Sequence, residues 1–365
     1  MNRRIGAALA ILVSLTVSLT VATSSRADDA PPPASGHFPA FRLGAFADIV
    51  LSHPTGRGKD HQTGEVDLYA SSPLGGDWSF LGEVLVKSTP DSGSDRPLTH
   101  RFELNLERFY VTFNPSDRLR LEIGQIHTGI IQWNEREHRS LFLQTPIDVP
   151  AIARRESQHG AWPLHFDGAW ASGRVPGSLG AEYGVGLGGA RGTERDDIQP
   201  LFRRGISPAG LVLVSVAPDV LTGFQAGASG YAGRIRLRGE TLRELDATLF
   251  SSFVRGGVEL RGELARMVHS DVGGPNEFVT HGWYLLGSYR PRGRWKPLRP
   301  YVLLDHQTVA PGEQYLSDVQ NLNAWSAGVR WDISPRLVFK SEFRSQLVPA
   351  PRARHLVRVE LAIAF

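Results

Sequence analysis

Hydrophobic and polar residues alternate one by one along much of this chain, which is the period of a β-strand rather than of a helix. The clearest example is the segment HLVRVELAIAF at 355–365. One face carries Val357, Val359, Leu361, Ile363 and Phe365, and the other carries Arg358, Glu360, Ala362 and Ala364. A wholly apolar face opposite a polar or small face is typical of a strand with lipid on one side and water on the other. A soluble sandwich strand can alternate in the same way, but it has no reason to stop on an aromatic residue. We therefore expect a membrane-spanning strand here.

The same alternation recurs in about sixteen segments. The predicted strands cover 41–52, 66–70, 78–86, 102–113, 119–123, 165–173, 179–190, 209–217, 221–230, 242–253, 257–269, 280–290, 299–309, 322–333, 336–347 and 355–365. The pattern is weakest at 230–256. In the fourth segment the apolar phase shifts at Glu107–Arg108, which predicts a β-bulge, because one extra residue flips the facing of all that follow.

The connections alternate between short turns and longer polar segments. Turns rich in Pro, Gly, Asn and Asp lie at 114–117, 175–177, 217–219 and 333–335. Longer segments lie at 53–63, 89–100, 191–208, 270–280 and 310–321. The predicted fold class is therefore all-β, a transmembrane antiparallel β-barrel of about 16 strands with short periplasmic turns and long external loops. An even strand count places both ends of the barrel on the periplasmic side.

The N-terminal region has the three parts of a secretory signal. Arg3 and Arg4 precede an apolar stretch from Ile5 to Ala22, and the small-residue site 25–27 follows. An uncleaved anchor is the alternative, since the stretch is near the length of a spanning helix, but Ser and Thr dilute it. We predict a signal peptide over 1–27, a proline-rich periplasmic tether over 28–39 and the barrel over 40–365.

Composition narrows the function classes. The formal charge is +3, and residues 1–27 hold three basic residues and no acid, so the remaining chain is balanced. The net positive charge therefore comes from residues 1–27 alone and gives no reason to expect nucleic-acid binding. The chain has no cysteine, which excludes disulfides and thiolate metal sites.

Charged residues in phase with the polar faces are expected to line a wet interior, since an Arg or Lys facing lipid at mid-membrane costs about 2–4 kcal/mol. The predicted pore-lining residues are Arg42, Glu103, Arg118, Arg120, Glu122, Glu259, Arg261, Glu263, Lys340, Glu342, Arg344, Arg358 and Glu360. Both signs occur on neighbouring strands, which predicts a polar lumen with ladders of ion pairs.

The longest gap between strands runs from Thr128 to Leu164 and would be the third external loop. Together with the signal, the strand number and the terminal Phe365, this gap resembles the general bacterial porins over the whole mature chain. The stretch LERFYVTFNPSDRLRLEIGQIHTGIIQWNEREHRSLFLQTP at 106–146 is also similar to porins of the phosphate-selective type, although the third loop lacks the excess of Lys that such selectivity would need.

The resemblance implies that the third loop folds into the lumen and narrows it. The constriction would then be formed by Glu135, Arg136, Glu137, Arg139, Asp148, Arg154, Arg155 and Glu156. Acids and bases balance there, which predicts no strong ion preference. The alternative is a solvated loop whose charges only keep it soluble. The resemblance further implies an integral outer-membrane protein in contact with lipid and lipopolysaccharide, recognition of Phe365 by the barrel-assembly machinery, and a homotrimer.

Enzymatic and metal sites have weaker support. In His269–Ser270–Asp271 and in Asp305–His306, neighbouring residues on a strand point to opposite faces and cannot form a nucleophile–base pair. The histidines of the long loop region, His127, His138, His159 and His165, lack a motif such as HExxH, so we interpret them as scattered.

We expect a passive channel for small hydrophilic solutes, with no enzymatic activity, no cofactor and no metal. The alternatives are a closed structural or adhesion barrel and, less favoured by the pattern, a hydrolase embedded in a barrel.

Overall fold

A computed structural model describes residues 41–55, 61–90, 100–137, 142–155, 159–189, 207–237, 240–347 and 353–365. The predicted signal peptide and tether lie outside these residues. The strands are β1 Arg42–Pro54, β2 His61–Gly75, β3 Trp78–Pro90, β4 His100–Ser116, β5 Leu119–His127, β6 His165–Val175, β7 Ala181–Gly189, β8 Ala209–Val216, β9 Phe224–Arg236, β10 Thr241–Arg255, β11 Val258–Asp271, β12 Glu277–Tyr289, β13 Leu298–Thr308, β14 Leu322–Ser334, β15 Leu337–Leu347 and β16 Arg354–Ala364.

These sixteen strands form one closed antiparallel barrel, in which each strand pairs with its neighbours in sequence and β1 pairs with β16. At the closure Ile49 lies opposite Leu361, and the backbone N–H of Phe365 donates to the carbonyl of Ala45 at 2.8 Å. The predicted all-β barrel of about 16 strands is confirmed. None of the helices in the described ranges is long and apolar enough to cross a membrane.

The wall separates two environments residue by residue. In β10 exposed and buried positions alternate, with Leu245 and Leu249 exposed outside and Glu244, Asp246 and Thr248 buried inside. Large apolar side chains are exposed around the outer face, as at Leu43, Leu104, Leu187, Val214, Leu264 and Leu285. An apolar outer surface of this extent is suited to lipid, since it would be unstable in water.

The predicted bulge in β4 is present. Glu83 pairs with Arg108 while Val84 pairs with Leu106, so Glu107 is the extra residue. Both Glu107 and Arg108 are buried, and Arg108 forms an ion pair with Glu83. The bulge thus brings two consecutive charged side chains to the interior, which regular alternation would forbid.

Two connections are shorter than the sequence pattern predicts. The segment 270–280 is mostly strand, because β11 extends to Asp271 and β12 begins at Glu277. At the same rim, β9 and β10 are separated by only the segment 237–240. The connection between β5 and β6 is as long as predicted, and its described residues occupy the interior of the barrel.

Leu249 provides a test of the membrane-facing surface. It lies near the middle of β10 with 60% of its surface exposed, so Leu249→Arg is expected to destabilise the barrel by about 2–4 kcal/mol in lipid vesicles. Urea unfolding of the refolded protein measures this cost. In the control Val220→Arg, the new charge lies in an exposed turn between β8 and β9 and should cost little. Equal effects of the two variants would contradict the assignment of a lipid face.

Candidate functional site: the loop inside the barrel

Between β5 and β6, the described residues 128–137, 142–155 and 159–164 fold into the barrel. The hydrogen bonds of Thr128 hold the two ends of this segment together, because its N–H donates to the carbonyl of Leu164 at 2.7 Å and its Oγ1 donates to that of Pro163 at 2.6 Å. The described residues of this segment include a short helix, α1 at Gln132–Arg136, and a 3₁₀ turn at Ala151–Ala153. We call residues 128–164 the inner loop.

Apolar side chains attach the inner loop to the wall. Ile130, Ile131 and Trp133 are almost wholly buried. They belong to one apolar cluster with the inward side chains Leu211, Leu213, Tyr231, Ile235, Met267, Leu286 and Leu303. The predicted polar lumen is therefore only partly observed from β8 to β13, where apolar side chains share the inward face with polar ones such as Glu244, Thr248 and Glu263. The reason is that the loop packs there as a protein core does, so inward positions that never meet water can be apolar.

Buried hydrogen bonds fix the start of the inner loop to the same wall. The carbonyl of Ile130 accepts from Ser229 Oγ at 2.7 Å and from Thr248 Oγ1 at 2.8 Å. The N–H of Gln132 donates to Glu263 at 2.8 Å. Because buried backbone groups need partners, these inward polar residues specify where the loop lies.

The middle of the inner loop contacts the side of the barrel that lies across from its attachment at β5 and β6. Arg330 Nη1 donates to the carbonyls of Phe142 at 2.6 Å and Gln144 at 2.8 Å. Lys340 Nζ donates to the carbonyl of Pro146 at 3.2 Å and lies 3.0 Å from Glu360. These bonds to β14 and β15 extend the loop across the lumen.

Asp148 is the centre of the largest ion-pair group on the inner loop. Its Oδ2 lies 2.9 Å from Arg344, 3.2 Å from Arg358 and 3.5 Å from Arg154. Burial by itself would raise the pKa of Asp148, but the three arginines outweigh this effect and hold it below its usual range. The carboxylate therefore stays ionised at neutral pH, and Arg344 and Arg358 also pair with Asp305 and Glu342.

The other predicted constriction residues are divided between two places. On α1 and just after it, Glu135 accepts from Gln132 at 2.7 Å, Arg136 donates to Gln225, and Glu137 pairs with Arg261. Arg155 lies apart from them, 3.7 Å from Glu65 and 3.8 Å from Glu107. Arg139 and Glu156 lie outside the described residues.

The predicted pore-lining residues also fall into separate groups. Covered by the inner loop, and almost wholly buried, are Glu259, Glu263, Lys340, Glu342, Arg344 and Glu360. Partly buried in the interior are Glu103, Arg261 and Arg358. Arg42 is exposed at the start of β1, and Arg118 lies in the turn between β4 and β5.

Charged side chains remain exposed at the turn end of β5, β6 and β7. On β5 Arg120 pairs with Glu122 at 2.6 Å, and between β6 and β7 Arg174 pairs with Glu182 at 2.8 Å. The exposed side-chain fractions are 47% for Arg120 and 71% for Arg174, against 0% for Lys340 and Glu360 on β15 and β16. We call Arg120, Glu122, Arg174, Glu182 and Gln225 the open wall. Arg136 of α1 contacts it through Gln225.

Two of the histidines that we interpreted as scattered come together. His127 and His165 are opposite each other at the last pair of β5 and β6, with ring centroids 5.4 Å apart, and both approach Glu107. His159 is exposed and lies 3.2 Å from Asp318, and His138 lies outside the described residues. The sequence gives no sign that His127 and His165 meet, because the inner loop separates them along the chain.

His269 is buried among acidic partners. Its ring lies between two carboxylates, 2.9 Å from Glu313 and 3.6 Å from Glu244. The opposite facing of Asp305 and His306 is also observed, since Asp305 pairs with Arg344 inside and His306 stacks on the ring of Trp283.

No family model and no curated protein matches the sequence. Solved structures with the same fold do match. OmpF of Salmonella typhi, in complex with daunomycin, has 12% identity and a TM-score of 0.61, covering 90% of this chain and 98% of its own. The channel DcaP of Acinetobacter baumannii has 11% identity and a TM-score of 0.59, covering 89% and 97%. OmpT of Vibrio cholerae, in a trimer form, has 7% identity and a TM-score of 0.59, covering 89% and 99%.

These similarities cover the barrel from end to end. The chain therefore has the sixteen-stranded β-barrel fold of bacterial outer-membrane porins. At such low identity the likeness concerns the fold, and the chemistry of the interior has to be argued from this chain's own residues.

Proposed function

We propose that this protein is an outer-membrane porin through which small hydrophilic solutes diffuse passively. The observation that carries the proposal is the asymmetry of the interior. The inner loop covers inward positions from β8 to β16, but it leaves the charged open wall, at the turn end of β5–β7 and at Gln225 of β9, accessible to water. The path would run between α1 and the open wall.

The charges beside this path predict its selectivity. Arg120 with Glu122, and Arg174 with Glu182, form neutral pairs, and on α1 the positive Arg136 lies next to the acidic Glu135. Charge at a narrow passage selects by its field as well as by its size. We expect weak ion preference, and the passage of phosphate receives no special support, since residues 128–164 contain no lysine.

Recording in planar lipid bilayers tests the proposal. Purified protein is expected to give stepwise conductance, with a reversal potential near zero in a salt gradient. The dense packing of the inner loop favours one competitor, a closed barrel with a structural or adhesive role. A correctly folded protein without conductance steps would establish the closed barrel instead.

Arg136→Cys locates the path. The chain has no native cysteine, so a positively charged thiol reagent would modify this position alone. We expect the reagent to reduce the single-channel conductance, since Arg136 is exposed on α1 beside the open wall. The control Val220→Cys lies in an exposed turn outside the interior and should be modified without effect. Equal conductance before and after modification of Arg136→Cys would place the path elsewhere.

The location, partners and oligomeric state of the barrel are part of the same proposal. We place it in the outer membrane as an integral protein, in contact with lipid and lipopolysaccharide, with Phe365 recognised by the barrel-assembly machinery. A homotrimer is proposed by analogy with the trimer form of Vibrio cholerae OmpT. No enzymatic activity is proposed.

A further inference from the structure

A carboxylate and two imidazoles converge where the inner loop leaves and rejoins the wall. Glu107 Oε2 lies 3.7 Å from His127 Nε2 and 3.4 Å from His165 Nε2. All three ligand atoms lie within 4.8 Å of one another. The side chains of Glu107, His127 and His165 are 2%, 5% and 4% exposed, so the group is enclosed.

These separations suit a shared metal ion. A direct N–H···O hydrogen bond usually measures about 2.7–3.2 Å, which is shorter than either distance from Glu107. Zinc binds histidine nitrogen and carboxylate oxygen at about 2.0–2.2 Å, and tetrahedral angles then place ligand atoms about 3.4 Å apart. The distances of 3.4 and 3.7 Å agree with such an arrangement.

Arg155 completes the surroundings of the carboxylate. Its Nε lies 3.8 Å from Glu107 Oε1, whereas both histidines face Oε2. The two oxygens of Glu107 are thus divided between a guanidinium and the imidazoles. Partners of this kind orient a ligand and are a regular part of metal sites.

The position of the group in the fold gives the ion a role. His127 immediately precedes the inner loop and His165 immediately follows it, while Glu107 is the extra residue of the β4 bulge. An ion bound by all three would connect both ends of the inner loop to the neighbouring strand. The β4 bulge makes this arrangement possible, because it turns the side chain of Glu107 to the interior, as that of Arg108 is.

We propose that Glu107, His127 and His165 bind a divalent transition-metal ion of the zinc class, with a fourth position available to water. The ion fixes the base of the inner loop. Metal binding is measured without solute passage, so the site can be tested separately from the proposed function.

Zinc binding to the full-length protein tests the site. The protein is refolded in detergent with a small excess of Zn²⁺, desalted and analysed for bound metal by mass spectrometry. The wild type is expected to retain one zinc per chain and to show a higher midpoint of thermal unfolding with zinc than with a chelator, because a ligand that binds the native state stabilises it.

Matched variants locate the ion. Glu107→Gln and the double variant His127→Ala/His165→Ala should lose the zinc and the zinc-dependent rise in unfolding temperature. The control His281→Ala/His306→Ala removes another pair of adjacent histidine rings, 6.0 Å apart, and should retain both. Zinc retained equally by all variants, or by none of them including the wild type, would overturn the proposal.

A spectroscopic measurement covers the case in which the variants do not fold. Co²⁺ replaces Zn²⁺ in the wild-type protein, and its visible absorption reports the coordination geometry. An intense tetrahedral spectrum that one equivalent of zinc abolishes is expected. The weak spectrum of hydrated Co²⁺ alone would contradict the site.

Discussion

Replacement of residues 130–162 by a short Gly-Ser linker is expected to raise the single-channel conductance several-fold. Thr128 and Leu164 already face each other across the ends of the inner loop, so the linker can close a hairpin between β5 and β6. Removal of the loop uncovers the walls formed by β8–β16, and the free cross-section of the lumen increases. The conductance is measured in planar bilayers in the same salt as for the wild type.

The same replacement should lower the stability of the barrel. The apolar cluster around Leu211 and Leu286 loses Ile130 and Trp133 as partners, and Glu263 and Asp305 lose the backbone N–H groups that they bind. As a control, the turn 218–222 is replaced by a linker, which should leave the conductance unchanged because it lies outside the interior. A folded loop variant with wild-type conductance would show that the inner loop does not limit the path.

Lys340→Met is expected to destabilise the protein by about 3–5 kcal/mol, the usual cost of leaving one member of a buried ion pair alone. Lys340 and Glu360 face each other on β15 and β16, and both side chains are 0% exposed. The substitution leaves Glu360 without its closest cation and the carbonyl of Pro146 without its donor. Urea unfolding in lipid vesicles gives the difference in the free energy of unfolding.

A double variant separates the ion pair between Lys340 and Glu360 from the contact of Lys340 with the inner loop. Lys340→Met/Glu360→Gln removes both charges and should recover much of the lost stability, since a neutral buried amide costs less than a buried lone carboxylate. Lys296→Met, at an exposed lysine in the turn between β12 and β13, controls for the loss of a positive charge. No recovery in the double variant would indicate that the bond to Pro146, rather than the ion pair, carries the effect.

The sequence determined the wall of this protein. A strand between lipid and water has to alternate with a period of two, and this requirement is local, so the segments from β1 to β16 could be found one at a time. The bulge at Glu107 was visible for the same reason, because it shifts the apolar phase of β4. The length of the segment 128–164 indicated a long third loop, and the resemblance to porins implied that it folds into the lumen.

Only the tertiary structure decided what fills the space inside the barrel wall. Inward positions show no difference in the sequence between a side chain that meets water, such as Arg120, and one covered by the inner loop, such as Lys340. Asp148 finds Arg344 and Arg358, and Glu107 finds His127 and His165, only after the barrel closes and the loop folds inward. These partners are distant in the chain, and their choice depends on the shape of the enclosed space rather than on any repeating pattern.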